Sequence, residues 1–173
     1  MIPPNPGNAE VEIVLDPGEY FAGDARYQVR TLLGSCVAIV LWHPRMQYGA
    51  MSHFLLSSRS AGAMNGDAAA LSQLDGKYAD EALELMIRDL KRVNVPVHEC
   101  TAKIFGGGNM FPGQIIADKL NVGRKNGETA KRLLDQRGLR VVAEDLFGIG
   151  HRQVIFNVRS GAVWSRQDRR AIA

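Results

Sequence analysis

Apolar residues along this chain come mostly in short runs bounded by Gly, Pro, Asn and Asp, a pattern that predicts strands. Such runs cover residues 11–15, closed by Asp16-Pro17-Gly18, and then 28–33 and 36–41, separated by a Gly-Ser break. After the turn signal "WHPR" comes another run over 49–56, and further runs cover 102–105, 139–143, 153–158 and 162–165. The last two read as a hairpin turning near Ser160-Gly161. One stretch, 77–93, has a different period. Ala79, Ala82, Leu83, Met86, Ile87, Leu90 and Val93 recur at three- and four-residue steps, which predicts an amphipathic helix. Asp80 and Glu81 near its start and Lys91 and Arg92 near its end suit the helix dipole. A second helix is expected over 124–136, stopping at Gly138. Residues 57–74, rich in Ser, Ala, Gly and Asn and without a period, read as a long mobile loop, a candidate substrate lid or docking loop.

Strands outnumber helices and no internal repeat is visible. The expectation is an α/β fold of the α+β type: a single layered domain of mixed β-sheet with helices packed outside and a 36–41/49–56 antiparallel hairpin at its centre. Residues 1–10 are expected to be a disordered lead, 11–166 the domain and 167–173 a tail.

With 173 residues, 46% of them hydrophobic and 23% charged, the composition is that of one ordinary globular domain. No apolar run reaches membrane-spanning length, and the first residues lack the pattern of a signal peptide, so the cytosol is the expected compartment. Two cysteines, Cys36 and Cys100, suit free thiols there better than a disulfide framework. Without a CxxC pair or a Cys/His cluster of zinc spacing, neither a metal nor any other cofactor is expected. The net charge of +3 is concentrated in the final third, which reads as a solvated face and a frayed tail. Aromatics are not interleaved with these basic residues, so nucleic acid is not an expected partner.

Candidate chemistry centres on "TLLGSCVAIVL". A thiol at the mouth of a buried strand is either a small hydrophobe in the core or a nucleophile beside a base. A tight antiparallel turn at Pro44-Arg45 would put Cys36 directly opposite His53, where cross-strand partners share a face. Gly34 and Ser35 would let the backbone turn sharply and expose N–H groups near the sulfur, a candidate oxyanion hole. The same face carries Ala38, Val40, Gly49 and Met51, and reads as a shallow surface that another layer or a substrate could approach. Gly106-Gly107-Gly108 lacks both the P-loop lysine spacing and a full GxGxxG. It reads instead as a close turn beside the site, with Gly107, Gly108 and Asn109 as candidate substrate-binding positions.

The blocks "TLLGSCVAIVLWHP", "GAMSHFLL", "KYADEALELMIRDLKR", "AKIFGGGNMF", "VGRKNGE" and "VVAEDLFGIGHRQVIFNVRSGAV" resemble, in order, those of the CheD family of bacterial chemoreceptor glutamine deamidases. The resemblance implies hydrolysis of glutamine side-chain amides on the cytoplasmic helices of methyl-accepting chemotaxis receptors, giving glutamate and ammonia. It also implies a site and fold similar to those of the cytotoxic necrotizing factor toxins. In the matching positions Cys36 is the nucleophile, His53 the base and Thr31 a third site residue. A CheC-type phosphatase is a further implied partner, and a non-catalytic adaptor for receptors or that phosphatase is the alternative function. Two positions depart from the family's pattern: Gly108 where GGA is frequent, and Phe147 where Gly-Gly is more usual.

Overall fold

The strand Val37–His43 (β4) is apolar on both faces because it lies between two other layers, and five of its first five residues are buried. The structure, a computed structural model, describes residues 11–59, 73–114 and 121–168. Residues 1–10, 60–72, 115–120 and 169–173 lie outside the described residues. They include the lead, most of the loop expected over 57–74 and most of the tail.

The other strands are Val11–Val14 (β1), Tyr20–Gly23 (β2), Tyr27–Leu33 (β3), Tyr48–Ser52 (β5), Thr101–Gly106 (β6), Arg140–Leu146 (β7), Arg152–Asn157 (β8) and Val163–Gln167 (β9). The helices are Ala79–Arg92 (α1) and Val122–Gln136 (α2). Five strands form one sheet in the order β2-β5-β4-β6-β7, and four form a second in the order β1-β3-β8-β9. Both sheets are mixed: β6 and β7 run parallel, joined through α2, as do β1 and β3, while the other pairs are antiparallel.

Two cores follow from the alternation along β4. Val37, Ile39 and Leu41 pack with Phe54 against Leu83, Met86 and Leu90 of α1 and Ala130 and Leu134 of α2. Ala38, Val40 and Met51 face the other way, against Val29, Leu33, Val154 and Phe156 of the four-stranded sheet. The face that reads as shallow in the sequence is thus covered by a second sheet. Gly49 fits this: a Cβ there would meet the Phe156 ring at 2.8 Å.

Both helices end as their sequences suggest. Gly138 takes φ +65 and its N–H and that of Leu139 close onto Asp135 and Leu134 carbonyls. Asn94 plays the same part after α1 at φ 58. The strand β2 is absent from the sequence reading, since four residues between two Gly-containing turns carry no period.

The β4–β5 hairpin forms, but with a longer turn than expected. His43 pairs with Tyr48, leaving residues 44–47 as the loop, and Gln47 takes φ 47. Val40 faces Met51 and Val37 faces Phe54, so Cys36 stands diagonal to His53 rather than directly opposite. The register moves by two residues, and an even shift leaves every side chain on its expected face. Four of the basic residues of the last third pair with carboxylates: Arg124 with Glu128, Lys131 with Glu144, Arg137 with Glu84, and Arg152 with Asp145. No described helix is long and apolar enough to cross a membrane.

Candidate active site

Gly34, Ser35 and Cys36 are the three residues by which the chain leaves the four-stranded sheet and enters the five-stranded one. A strand cannot change sheets without breaking its ladder, and this is why a Gly-Ser pair sits there. The corner is nevertheless held tightly. Gly108 N–H donates to the Gly34 carbonyl at 2.8 Å and Gly107 N–H to the Cys36 carbonyl at 2.8 Å. The glycine loop can come this close because it has no side chains: a Cβ at Gly106 (φ +114) would lie 2.3 Å from the Cys36 carbonyl oxygen. Gly107 and Gly108 therefore act on the thiol's backbone. Asn109 ties this loop to the 147–150 turn, its N–H donating to the Gly148 carbonyl and its carbonyl accepting from the Gly150 N–H, while its side chain accepts from the Phe111 N–H. Ser35, Gly108 and Asn109 also line a groove of about 270 Å³ with Met110, Phe111 and Asn121.

Arg152, itself buried, anchors the loop from below. Its guanidinium donates to the carbonyls of Gly106 and Phe147, each at 2.8 Å, and pairs with Asp145 at 3.2 Å. Phe147 adopts φ 69, a conformation natural to glycine. That accounts for the usual glycine at this position of the resembling family. The phenylalanine ring packs under Arg124 at 5.3 Å.

His53 follows β5 on the same sheet face as Cys36 and points between the sheets, 2% exposed. Its backbone is tied to the crossing before β2, through His53 N–H to Glu19 and Gly18 N–H to the His53 carbonyl. Thr31, buried on β3, brings its hydroxyl to 2.7 Å from His53 Nδ1 and 2.8 Å from the Leu15 carbonyl. These two contacts fix the tautomer. A carbonyl oxygen can only accept, so the single hydroxyl proton of Thr31 goes to Leu15. Thr31 then accepts from His53, which places the ring proton on Nδ1 and the lone pair on Nε2. Nε2 is buried and has no hydrogen-bond partner among the described residues. Its lone pair lies on the sheet face that Cys36 shares.

Burial lowers the His53 pKa below its ordinary 6.5, with the Leu15 carbonyl and the charges of Asp16 and Glu19 opposing. Burial likewise raises the Cys36 thiol, opposed by its own backbone N–H. Both shifts favour the uncharged pair at neutral pH.

Sequence reading missed Leu15, whose contribution is a carbonyl, and Arg152 and Asn126. The last is a buried polar residue on the apolar face of α2, a detectable anomaly at helical spacing.

The fold and its site define a mixed α/β protein with a thiol and an imidazole on one wall between two sheets. The chain belongs to the CheD family. A family model described as CheD chemotactic sensory transduction matches residues 60–167. A protein of Albidiferax ferrireducens named probable chemoreceptor glutamine deamidase CheD 2 is 54% identical over 157 residues, covering 91% of this chain and 87% of its own. Similar proteins named as probable chemoreceptor glutamine deamidases occur in Chromobacterium violaceum (38% over 159 residues, 92% and 79% covered) and Pseudomonas savastanoi pv. phaseolicola (42% over 156 residues, 90% and 84% covered).

Proposed function

We propose that this protein is a chemoreceptor glutamine deamidase that works through a Cys36 thioester. The observation that carries this reading is the Thr31–His53 contact, which leaves Nε2 as an unpartnered base on the face that Cys36 shares. Membership of a family whose members bear that activity in their names supports the substrate.

Since both groups rest uncharged, the first step couples two events. The Cys36 Sγ–H proton passes to His53 Nε2 as sulfur attacks the amide carbon of glutamine. Negative charge builds on the amide oxygen and is received by the N–H groups of the Ser35–Cys36 corner, which donate to no backbone carbonyl among the described residues. The imidazolium then gives its proton to the departing nitrogen, which leaves as ammonia. Neutral His53 next takes a proton from water, whose oxygen attacks the thioester. Collapse returns the proton to sulfur and releases glutamate. The Nδ1–H to Thr31 contact keeps the ring oriented through both half-reactions.

The receptor's cytoplasmic helices are the proposed substrate surface. Mass spectrometry of a receptor cytoplasmic fragment tests this, with a gain of about one dalton for each glutamine hydrolysed. The expected result is that gain with wild type and a loss of rate on the order of a hundredfold or more in His53→Ala. A folded wild-type protein that binds the fragment and changes no glutamine would be an adaptor, and the deamidase reading would be wrong.

A further inference from the structure

Asn126 is a polar side chain where an apolar one is expected. It lies on the inner face of α2 with Gly123, Gly127 and Ala130 and is 1% exposed. Its Nδ2 donates to the Ser35 carbonyl at 3.1 Å and to the Leu55 carbonyl at 2.7 Å, and its Oδ1 accepts from Ser57 Oγ at 3.4 Å. Two carbonyl acceptors require the amide to present its NH₂ group to them, so the orientation of the side chain is settled by chemistry. One residue thus joins the segment carrying the thiol to the segment carrying the base. Ser35 immediately precedes Cys36, and Leu55 follows His53 by two residues.

The consequence for the corner is geometric. All three of its carbonyls are held: Gly34 by Gly108, Ser35 by Asn126 and Cys36 by Gly107. In a planar trans peptide the carbonyl and the following N–H point in opposite directions, and the described residues contain no cis peptide. Fixing the Ser35 carbonyl on the helix side therefore turns the Cys36 N–H to the other side. That N–H donates to no backbone carbonyl among the described residues and lies against its own sulfur. Such a donor is available to an oxygen on the carbon that the sulfur attacks.

We propose that Asn126 is a positioning residue that, by holding the Ser35 carbonyl, aims the Cys36 N–H at the oxyanion of the tetrahedral intermediate. The inference rests on the deamidase reading and assigns the donor and what orients it. A misaimed donor weakens the transition state and leaves the bound amide nearly untouched, so the effect falls on kcat.

The test uses Asn126→Asp, which has the same shape but places an acceptor against the two carbonyls, and Asn126→Ser, which is polar but too short to span them. Each is compared with wild type in receptor-fragment deamidation, in alkylation of Cys36 by iodoacetamide followed by peptide mass spectrometry, and in near-ultraviolet circular dichroism. Alkylation needs the thiol and base but forms no oxyanion, so it separates aiming of the N–H from general damage to the pair. The expected result in a folded variant is a kcat lowered on the order of tenfold to a hundredfold, with KM and the alkylation rate within about twofold of wild type. Parallel loss of alkylation and deamidation, unchanged deamidation, or loss of folding in both variants overturns the assignment. A wild-type protein that alters no glutamine removes the deamidase reading and this inference together. Wild-type activity beside an unaffected variant removes only the role of Asn126.

Discussion

The two thiols of this protein occupy opposite kinds of place. Cys100 lies in the core between the five-stranded sheet and the helices, 4% exposed, with its sulfur 3.9 Å from the Pro96 carbonyl. Burial, with help from Glu99, pushes its pKa up to about 11. Cys36 is half-buried at a crossing between sheets, and burial raises its pKa too. The direction of the shift therefore does not separate the proposed nucleophile from the core thiol. What separates them is the surroundings. Cys36 shares a face with an imidazole whose tautomer is fixed and whose Nε2 has no hydrogen-bond partner among the described residues, and its own N–H donates to no backbone carbonyl among them. Cys100 has a carbonyl for a neighbour, which can accept a proton only as a hydrogen bond.

The comparison can be broken from either side. The largest effect is expected from Cys36→Ala, which removes the attacking atom. Deamidation of a receptor fragment should vanish while the melting temperature moves by no more than about 3 °C, since a half-exposed corner loses little packing. Retained turnover would show that the wrong thiol has been named. A smaller loss, on the order of tenfold, is expected from Thr31→Val, which keeps the shape but leaves Nδ1 without the hydroxyl. Steady-state kinetics on the same fragment checks it, and an unchanged kcat would mean the Leu15 carbonyl alone fixes the ring.

The pH dependence sharpens the same contrast. Because burial lowers the His53 pKa, the neutral base persists below 6.5, and kcat/KM should hold its plateau there and fall only at more acidic pH. A normal or raised His53 pKa would move the acid limb to 6.5 or above, and a profile of kcat/KM against pH distinguishes the two. The smallest effect on activity is expected from Cys100→Ala. Its rate should match wild type, with a stability loss of about 1 kcal/mol measured by denaturant titration, because the sulfur fills core space.

Much of this was legible in the chain. The α1 stripe predicted its helix because Ala82, Leu83, Met86 and Leu90 must all reach one core, and Gly138 ended α2 because only a left-handed residue closes that turn. Cys36 and His53 were assigned to one face correctly from a turn of the wrong length. Side-chain facing depends only on whether the register shift is even, and the turn proved two residues longer, with Gln47 in a left-handed conformation. Other features have no local signal. That the Gly-Ser break is a crossing between two sheets follows from which strands pair, a non-local choice. The Leu15 carbonyl that settles the tautomer has no side-chain identity to read. Asn126 left a trace, a polar residue on a buried helical face, but its partners are two carbonyls distant in sequence. Phe147 also left a trace, as a departure from the family's glycine, and its positive φ is the physical reason that departure stands out.

The most direct measurement is capture of the covalent intermediate. Wild-type protein is mixed with a receptor fragment, quenched in acid within the first turnover, digested, and read by mass spectrometry. A thioester on Cys36 is predicted, carrying the substrate peptide less ammonia, and absent from Cys36→Ala. An adduct on Cys100, or deamidation with Cys36 unmodified at every time point, would contradict the account.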